Sequence, residues 1–302
     1  MIHPHLEQAA ALIRAGRLVA FPTETVYGLG ANALDARAVA RIYEVKGRPS
    51  SSPVIVHVCS VEMARRLAAA WPEKAALLAE RFWPGPLTLV LPKQPLIPDN
   101  VTAGLPTAGL RMPAHPLALA LIETSGCPIA APSANRFTEL SPTSAEHVRK
   151  SLGDAVDLIL DGGSTPVGIE STVLSLAADP PVLLRPGMIT REEIEALIGP
   201  VEVRTSAGDA AHPAPGMHPR HYSPRTPLYL VRNAAVPAGG RGIYLRHGDN
   251  MPATPRDYAA ALYATLHHYD EQGYDWIAVE EPPELPEWAA VRDRLHRAAS
   301  PA

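Results

Sequence analysis

The stretch G-R-L-V-A-F-P-T-E-T-V-Y-G-L-G-A-N, residues 16–32, is the one around which this chain is organised. Its apolar run from Leu18 to Phe21 predicts a buried strand, and Pro22 ends that strand because proline cannot donate to a sheet ladder. Two threonines around Glu24 follow, and then two glycines spaced by one residue. A strand that breaks into hydroxyls and glycines can hold a small polar ligand against the backbone. An ordinary strand followed by a glycine-rich turn has the same pattern.

Outward from this stretch, short apolar runs alternate with amphipathic segments as far as residue 198, which is typical of an α/β domain. The predicted strands are 18–21, 54–58, 87–91, 129–131, 158–160, 172–176 and 182–185. The predicted helices are 6–15, 35–45, 61–70, 73–82, 116–125, 143–152 and 190–197. Three of these helices have start signals, an N-cap at Asp35 and capping boxes at Thr143 with Glu146 and at Thr190 with Glu193.

Residues 199–226 differ in composition from the segments on either side. They are rich in Pro, Gly, Ala and His, they lack a period, and they contain P-G-M-H-P-R-H-Y-S-P. We interpret them as a linker between a catalytic domain, 1–198, and a small C-terminal α/β domain, 227–302. The strands predicted for the second domain lie near 228–231, 243–246 and 276–279, and its helices at 257–272 and 285–298.

Composition predicts a globular protein and excludes several functional classes. The 302 residues are 46% hydrophobic, enough for a sizeable core, and the net charge of −4 provides no overall attraction to nucleic acid or anionic membranes. Cys59 and Cys127 cannot frame a disulfide scaffold or a C-x-x-C metal site. Residues 1–10 have no apolar signal core and no apolar run could span a bilayer, so we expect a cytoplasmic protein.

The common nucleotide and metal motifs are missing from the sequence. Gly28-Leu29-Gly30 begins like a dinucleotide fingerprint, but the third glycine is absent and six residues separate the glycines from the strand end. The chain has no P-loop motif, and its histidines do not have H-E-x-x-H spacing. No metal site built from protein ligands is predicted.

Basic residues recur where predicted elements end. Lys46 and Arg48 follow a helix and could bind phosphate, although a solvated basic helix end is the commoner explanation. Arg111, in G-L-R-M-P, could clamp a carboxylate or pair with an internal acid. Arg185, in L-L-R-P-G, has the same form at a strand end.

Hydroxyl and amide groups follow other strands. Ser133 and Asn135 in A-P-S-A-N could donate to a phosphate or a base, or could form an Asx-type turn. Ser141 is either the neighbour of a helix cap or a phosphate donor at a helix start. The segment G-I-E-S-T, 168–172, places a carboxylate and hydroxyls at a strand edge, as the opening stretch does. His57 ends a strand, and a satisfied core histidine is its default interpretation.

Eight segments in a fixed order make the chain resemble the YrdC-like family. They are F-P-T-E-T-V-Y-G-L-G, K-G-R-P, P-V-I-V-H-V, W-P-G-P-L-T, G-L-R-M-P, A-P-S-A-N, G-I-E-S-T-V and L-L-R-P-G. The motif P-G-M-H-P-R-H-Y-S-P and the unit after it resemble the linker and C-terminal domain of the family's longer, two-domain form. The resemblance implies a twisted mixed β-sheet flanked by helices, with a small Rossmann-like second domain.

The resemblance also implies an activity. Members make threonylcarbamoyl-AMP and pyrophosphate from ATP, L-threonine and bicarbonate, with Mg²⁺, and partner proteins pass the threonylcarbamoyl group to position 37 of tRNAs reading codons that begin with A. tRNA is therefore an indirect partner, and no membrane is involved. The implied ATP contacts are Lys46, Arg48, Ser52, Thr107, Ser133, Asn135, Ser141, Arg185 and His221. The implied threonine contacts are Thr25, His57, Arg111, Ala131 and Ser171.

Roles follow for some of these residues. No side chain is expected to act as a nucleophile, and Lys46 and Arg48 would stabilise charge on phosphate. Arg111 would hold the threonine carboxylate, while Thr25, the residue of T-E-T predicted to face the ligand, would orient the substrate with Ser171. His221 and its linker would cover the nucleotide. The chain has Ser52 where many relatives have Asn, which shortens the reach of that side chain.

Two other functions remain open at this stage. A non-catalytic RNA-binding module of the same fold would use the basic cluster for RNA phosphates, although the balanced charge argues against it. A carbamoyl-transfer enzyme with the same nucleotide chemistry would need zinc-finger and acylphosphatase-like segments, for which the chain lacks cysteine pairs.

Overall fold

The computed structural model describes residues 3–203 and 222–299. The α-helices in these ranges are α1 (Leu6–Arg14), α2 (Ala36–Lys46), α3 (Val61–Leu67), α4 (Glu73–Phe82), α5 (Asp99–Thr102), α6 (Pro116–Ser125), α7 (Ala145–Leu152), α8 (Arg191–Ile198), α9 (Pro255–Asp270) and α10 (Ala289–Ala298). The strands are β1 (Val19–Phe21), β2 (Gly28–Asn32), β3 (Val56–His57), β4 (Leu87–Pro92), β5 (Thr107–Arg111), β6 (Ile129–Ala130), β7 (Leu158–Ile159), β8 (Thr172–Ser175), β9 (Val182–Arg185), β10 (Glu202–Val203), β11 (Leu228–Val231), β12 (Gly242–Leu245) and β13 (Trp276–Glu280).

A mixed sheet with the strand order β10-β9-β8-β4-β5-β3-β6-β2-β1-β7 forms the first domain and confirms the predicted fold class. Its pairs are antiparallel at β1–β2 and β4–β5 but parallel at β3–β5 and β4–β8. Along β1, Val19 and Phe21 pack with α1 and α6, whereas Leu18 and Ala20 belong to the core on the opposite face. This alternation is what a strand covered by helices on both sides requires.

Gly28 and Gly30 of the opening stretch lie inside strand β2, so the interpretation of this segment as a glycine-rich turn is wrong. Phe21 pairs with Gly28 across the β1–β2 ladder. A Cβ on Gly30 would lie 2.8 Å from the Phe21 ring and 2.9 Å from Ile129, closer than side chains pack. The absence of side chains at Gly28 and Gly30 makes room for the phenylalanine ring.

Helix capping confirms two of the three predicted start signals. Asp35 accepts the N–H groups of Arg37 and Ala38, and Thr190 and Glu193 form the predicted capping box. The capping box predicted at Thr143 with Glu146 is wrong. The next residue, Ser144, caps α7 by accepting the N–H of His147, because its extended backbone directs the hydroxyl at that group. Thr143 instead contacts the His147 ring at 3.3 Å.

The second domain is a three-stranded parallel sheet, β11-β13-β12, covered by α9 and α10. Its core continues into the first domain, because Val26, Leu140 and Ile169 pack in the same cluster as Tyr222 and the buried face of α9. Gly168, at φ +76°, lies directly against the α9 backbone. The two domains therefore share one hydrophobic interface.

The predicted linker contains one element that sequence inspection missed. Strand β10 pairs in parallel with β9 and extends the large sheet past residue 198. A two-residue strand has no measurable period, which is why the pattern did not reveal it. The rest of the linker up to His221, including the predicted nucleotide contact at that histidine, lies outside the described residues.

No helix within residues 3–203 or 222–299 combines the length and the apolar character needed to cross a membrane. The cytoplasmic location remains a prediction from the sequence.

Candidate active site

A cleft with charged and hydroxyl side chains in its lining opens at the end of the large sheet where several strands terminate. His57 is the last residue of β3, Arg111 of β5 and Arg185 of β9, while Ser171 directly precedes β8. The cleft encloses about 520 Å³, its open mouth included. It is lined by Thr23, Thr25, Val26, Gly28, Arg48, Ile55, His57, Arg111, Ala131, Pro132, Ser133, Glu170, Ser171, Arg185 and Tyr222.

Residues predicted for both substrates meet in this one cleft. Those from the threonine set are Thr25, His57, Arg111, Ala131 and Ser171. Those from the ATP set are Arg48, Ser133 and Arg185. Segments up to 160 residues apart in the chain thus line one cleft, while the substrate that each residue contacts remains a prediction.

Arg111 pairs with an internal acid, which is the alternative that the sequence left open. Its Nη2 donates to Glu24 Oε1 at 2.7 Å and to the Thr25 hydroxyl at 3.0 Å, and its Nε donates to the Gly85 carbonyl at 3.3 Å. The other Glu24 oxygen accepts the N–H of Ala114. This buried, fully oriented pair fixes the guanidinium at the cleft wall. Its Nη1 makes no hydrogen bond to any residue in the described ranges.

The three side chains of T-E-T have two roles: the threonines line the cleft, and the glutamate holds Arg111. Thr25 lines the cleft, as predicted, and Thr23 lines it as well. The Thr23 hydroxyl donates to the Val26 carbonyl at 2.7 Å and lies 2.8 Å from the Thr25 hydroxyl. Glu24 points away to Arg111. Sequence reasoning missed the role of Glu24, although an acid between two threonines at a strand end was a visible signal.

Ser171 and Arg185 form the opposite wall. Arg185 donates from Nε to the Ser171 carbonyl at 3.1 Å and from Nη2 to its hydroxyl at 3.2 Å. The same hydroxyl lies 2.8 Å from that of Thr88. Burial lowers the pKa of Arg185, but a guanidinium remains charged at neutral pH.

Arg48 contributes a second cation, one with unused donor capacity. Its Nη2 donates to the Pro53 carbonyl at 3.0 Å, and its buried Nε has no partner in the part of the chain that the structure describes. Burial lowers the pKa of Arg48 to about 10, so it stays protonated at neutral pH. A buried charged donor without an acceptor is costly unless a ligand supplies one, and an anion meets that need.

Several residues of the predicted ATP set lie behind the cleft wall. The buried Lys46 Nζ donates to the Ser133 carbonyl at 2.6 Å and to the Asn135 carbonyl. Burial, and then the nearby Arg48 charge, hold the pKa of Lys46 well below its ordinary value. Lys46 and Asn135 thus support the A-P-S-A-N loop in this structure, and direct contact of either with ATP remains a prediction.

The remaining members of that set are placed separately. The buried Ser141 donates its hydroxyl to Glu170 at 2.5 Å rather than lining the cleft. Thr107 lines a smaller recess that shares Ile55 with the cleft. Ser52 is buried and accepts a hydrogen bond from Tyr43 at its carbonyl. Their contacts with ATP also remain predictions.

Comparison with known families accounts for both domains. A family model described as "Telomere recombination", for Sua5, YciO and YrdC, matches residues 11–187, more than half of the chain. The chain belongs to the Sua5/YrdC family. A second model, described as the C-terminal domain of threonylcarbamoyl-AMP synthase, matches residues 189–300.

Individual Sua5/YrdC relatives give the same result. Threonylcarbamoyl-AMP synthase of Bacillus subtilis is 47% identical over 98% of this chain and 93% of its own length. The solved structure of Sua5 from Pyrococcus abyssi, complexed with L-threonine, is 44% identical with a TM-score of 0.91, covering 97% of this chain and 94% of its own. A shorter relative, the putative threonylcarbamoyl-AMP synthase of Mycobacterium tuberculosis H37Rv, is 40% identical over 63% of this chain and 88% of its own length.

Within this Sua5/YrdC cleft, His57 is buried but is not the satisfied core histidine that the sequence favoured. It lines the cleft, and its Nδ1 has no hydrogen-bond partner among the described residues. Burial, reinforced by the Arg111 charge, lowers its pKa to about 3. The ring is therefore neutral at physiological pH and offers an unpaired nitrogen beside Arg111.

This pKa shift predicts that protonation of His57 lowers the stability of this chain in acid. The folded-state pKa of about 3 lies below the ordinary value of 6.5, so the unfolded chain binds the proton more readily. Stability from this group is complete above pH 6.5 and is lost as the pH falls from 6.5 toward 3. At pH 5 the loss is about 2 kcal/mol.

The variant His57→Asn tests this effect. We expect it to reduce, by about that amount, the drop in the free energy of unfolding between pH 7.5 and pH 5, measured in urea. An equal drop in the variant and the wild type would contradict the assignment, and His268→Asn, on the exposed face of α9, is the matched control.

Proposed function

We propose that this chain is an L-threonylcarbamoyladenylate synthase, a nucleotidyltransferase that converts ATP, L-threonine and bicarbonate to threonylcarbamoyl-AMP and pyrophosphate. The observation that carries the proposal is the convergence of Arg48, Arg111 and Arg185 on one cleft whose walls also present threonine and serine hydroxyls. A nucleotide and an amino acid together bring the anionic groups that such a cleft can bind. The L-threonine complex of the P. abyssi relative supports the amino-acid part.

The reaction requires two bond-forming steps. The threonine amine attacks the carbon of CO2 derived from bicarbonate, which forms an N–C bond and releases a proton, to give a carbamate. A carbamate oxygen then attacks the α-phosphorus of ATP, and the bond to the β-phosphate oxygen breaks so that pyrophosphate leaves. Neither step needs a side-chain nucleophile, because positioning and charge stabilisation suffice.

The cleft residues suit these tasks. Arg48 and Arg185 would stabilise the charge on the phosphates, since preorganised cations in a partly dry site act strongly on developing charge. Arg111 would bind the threonine carboxylate through Nη1, because Nη2 and Nε are held by Glu24, Thr25 and Gly85. The hydroxyls of Thr25 and Ser171 would orient the amine and side chain of threonine.

Mg²⁺ is proposed to arrive with ATP rather than to sit in a protein cage. The described residues include no group of three or more His, Cys, Asp or Glu side chains that could hold a metal ion. The carboxylates of Glu24 and Glu170 are both paired with arginines. Mg²⁺ at nucleotide sites takes most of its ligands from phosphate oxygens and water, and that arrangement is compatible with this cleft.

The product would serve tRNA modification. Threonylcarbamoyl-AMP is a mixed anhydride, and we propose that separate transfer proteins pass its acyl group to position 37 of tRNAs reading codons that begin with A. An RNA-binding module without catalysis is less well supported, because the cleft arginines are buried and the cleft that they line encloses only about 520 Å³, its open mouth included.

Pyrophosphate release tests the proposed reaction. The full chain should release pyrophosphate only when ATP, L-threonine and bicarbonate are all present, and omission of any one should reduce release to background. Arg185→Gln should release little under the same conditions, which controls for contaminating enzymes. Release that is independent of threonine would overturn the proposal.

A further inference from the structure

Arg294, on helix α10 of the second domain, is the largest fully buried side chain within residues 3–203 and 222–299. Its Nε donates to Glu170 Oε2 at 2.7 Å, and its Nη2 donates to the Glu170 carbonyl at 3.1 Å. Its Nη1 donates to the Pro186 carbonyl at 3.0 Å and to Asp293 at 2.8 Å. A guanidinium with every nitrogen bonded holds its partners in one geometry.

The partners of Arg294 are chain neighbours of cleft residues. Glu170 lines the cleft itself and precedes Ser171, and Pro186 follows Arg185. One side chain of the second domain thus ties together the two segments that form the Ser171–Arg185 wall. Tyr263 of α9 adds a hydrogen bond to Glu170 at 3.1 Å.

The same contacts set the charge of the cleft. Glu24 is paired with Arg111, and Glu170 is paired with Arg294, from outside the cleft. Burial alone would raise the pKa of Glu170, but Arg294 first and Arg185 second outweigh it, so the pKa is lowered and the carboxylate is ionised. Without Arg294, Arg185 would be the main cation left to compensate the Glu170 carboxylate, because it is the second charge that acts on Glu170 in the intact chain.

We propose that Arg294 is a positioning residue through which the second domain compensates the charge of Glu170, so that Glu170 does not weaken the attraction of Arg185 for a nucleotide phosphate. The proposal rests on the ATP-dependent function proposed above. It gives the second domain a part in nucleotide affinity without any direct contact with the nucleotide.

A charge-balanced pair of variants tests this role. Arg294→Gln removes the cation that compensates the Glu170 carboxylate while Arg185 stays nearby, so we expect the Kd for ATP to rise by roughly 10- to 30-fold, the size of one unit-charge interaction in a partly screened site. The threonine KM should change by less than about threefold. The double variant E170Q/R294Q carries neither charge, and its Kd for ATP should return to within about threefold of the wild-type value.

The measurements separate this role from a purely structural one. ATP binding is followed by calorimetry on the full chain, and folding by circular dichroism at the same temperature. The matched control is Arg292→Gln, on the same helix, where the arginine forms a surface pair with Glu284 and should not affect ATP binding. If Arg294→Gln does not fold, Arg294→Lys replaces it in the test. The lysine keeps the positive charge but cannot make the several hydrogen bonds of the guanidinium, so ATP binding should weaken by only about threefold.

Each outcome is decisive. A folded double variant that binds ATP no better than Arg294→Gln would overturn the proposal, and so would equal losses for ATP and threonine. A wild-type chain that binds ATP but releases no pyrophosphate would refute the proposed reaction while leaving the Arg294 test valid. A wild-type chain that binds no ATP would overturn both.

Discussion

Replacing Arg111 by alanine is expected to raise the KM for L-threonine by at least ~30-fold. The variant loses the proposed pair between Arg111 and the threonine carboxylate, and removing one partner of a buried, hydrogen-bonded charge pair costs about 2–5 kcal/mol. The KM for ATP should rise by less than about fivefold, since Arg48 and Arg185 remain in place. Two effects add in this variant. The threonine carboxylate loses its cation, and Glu24, only 6% exposed, loses its hydrogen-bonded partner.

A double variant separates these two effects. E24Q/R111Q has neither buried charge, so its free energy of unfolding should recover relative to Arg111→Ala while its threonine KM stays high. Arg41→Gln, which removes a half-exposed arginine from its pair with Asp157, is the control for loss of an arginine elsewhere. Steady-state pyrophosphate release at varied threonine and varied ATP gives both constants. Equal increases in the two KM values, or recovery of threonine affinity in the double variant, would count against a carboxylate-binding role for Arg111.

Gly168→Ala is expected to separate the two domains and lower the free energy of unfolding by about 2–5 kcal/mol. The residue has φ +76°, which disfavours any side chain, and an added Cβ would lie 2.4 Å from the Ala259 carbonyl oxygen and 2.5 Å from the Ala260 Cα. Both atoms belong to the α9 backbone, which cannot rotate away. The contact lies two residues before Glu170, so the loss of domain packing should also weaken ATP binding.

Gly163→Ala is the matched control for this prediction. Gly163 has φ +79°, but a Cβ there would meet open space, so the variant measures the backbone penalty alone, about 1–2 kcal/mol. Urea unfolding followed by circular dichroism gives the stability, and calorimetry gives the Kd for ATP. If Gly168→Ala were no less stable than Gly163→Ala, close packing of α9 on Gly168 would not hold the domains together.

Those cleft residues that belong to short motifs, such as G-L-R-M-P and L-L-R-P-G, could be picked out from the sequence. Residues at strand ends, such as Arg111 and Arg185, were singled out because an arginine between an apolar run and a proline has few other reasons to recur. The partners of these residues were not predictable. Glu24 lies 87 positions from Arg111, and Glu170 lies 124 positions from Arg294. No local pattern relates residues so far apart.

Lys46 shows a second limit of sequence reasoning. The segment K-G-R-P places Lys46 and Arg48 together, and both were expected to face phosphate. Helix α2 ends at Lys46, and Gly47, with φ +63°, then turns the chain. The lysine is therefore directed at the backbone carbonyls of Ser133 and Asn135, while Arg48 reaches the cleft wall. The two carbonyls lie 87 and 89 positions from Lys46, so no local pattern could show that the lysine would reach them.

By itself, the sequence determined the α/β class, the order of most helices and strands, the family and the identity of many cleft residues. These features depend on local periodicity, on capping groups and on motifs a few residues long. Only the tertiary structure decided that Gly28 and Gly30 lie in a strand packed on Phe21, that Glu24 orients Arg111, and that Arg294 of the second domain holds Glu170. Those results depend on burial, which removes water from charged groups and requires each to find a partner wherever the fold brings one close. In the opening stretch, residues 16–32, the sequence shows the order of hydroxyls and glycines. Only the fold shows that the threonines line the cleft and that Gly28 and Gly30 pack on Phe21.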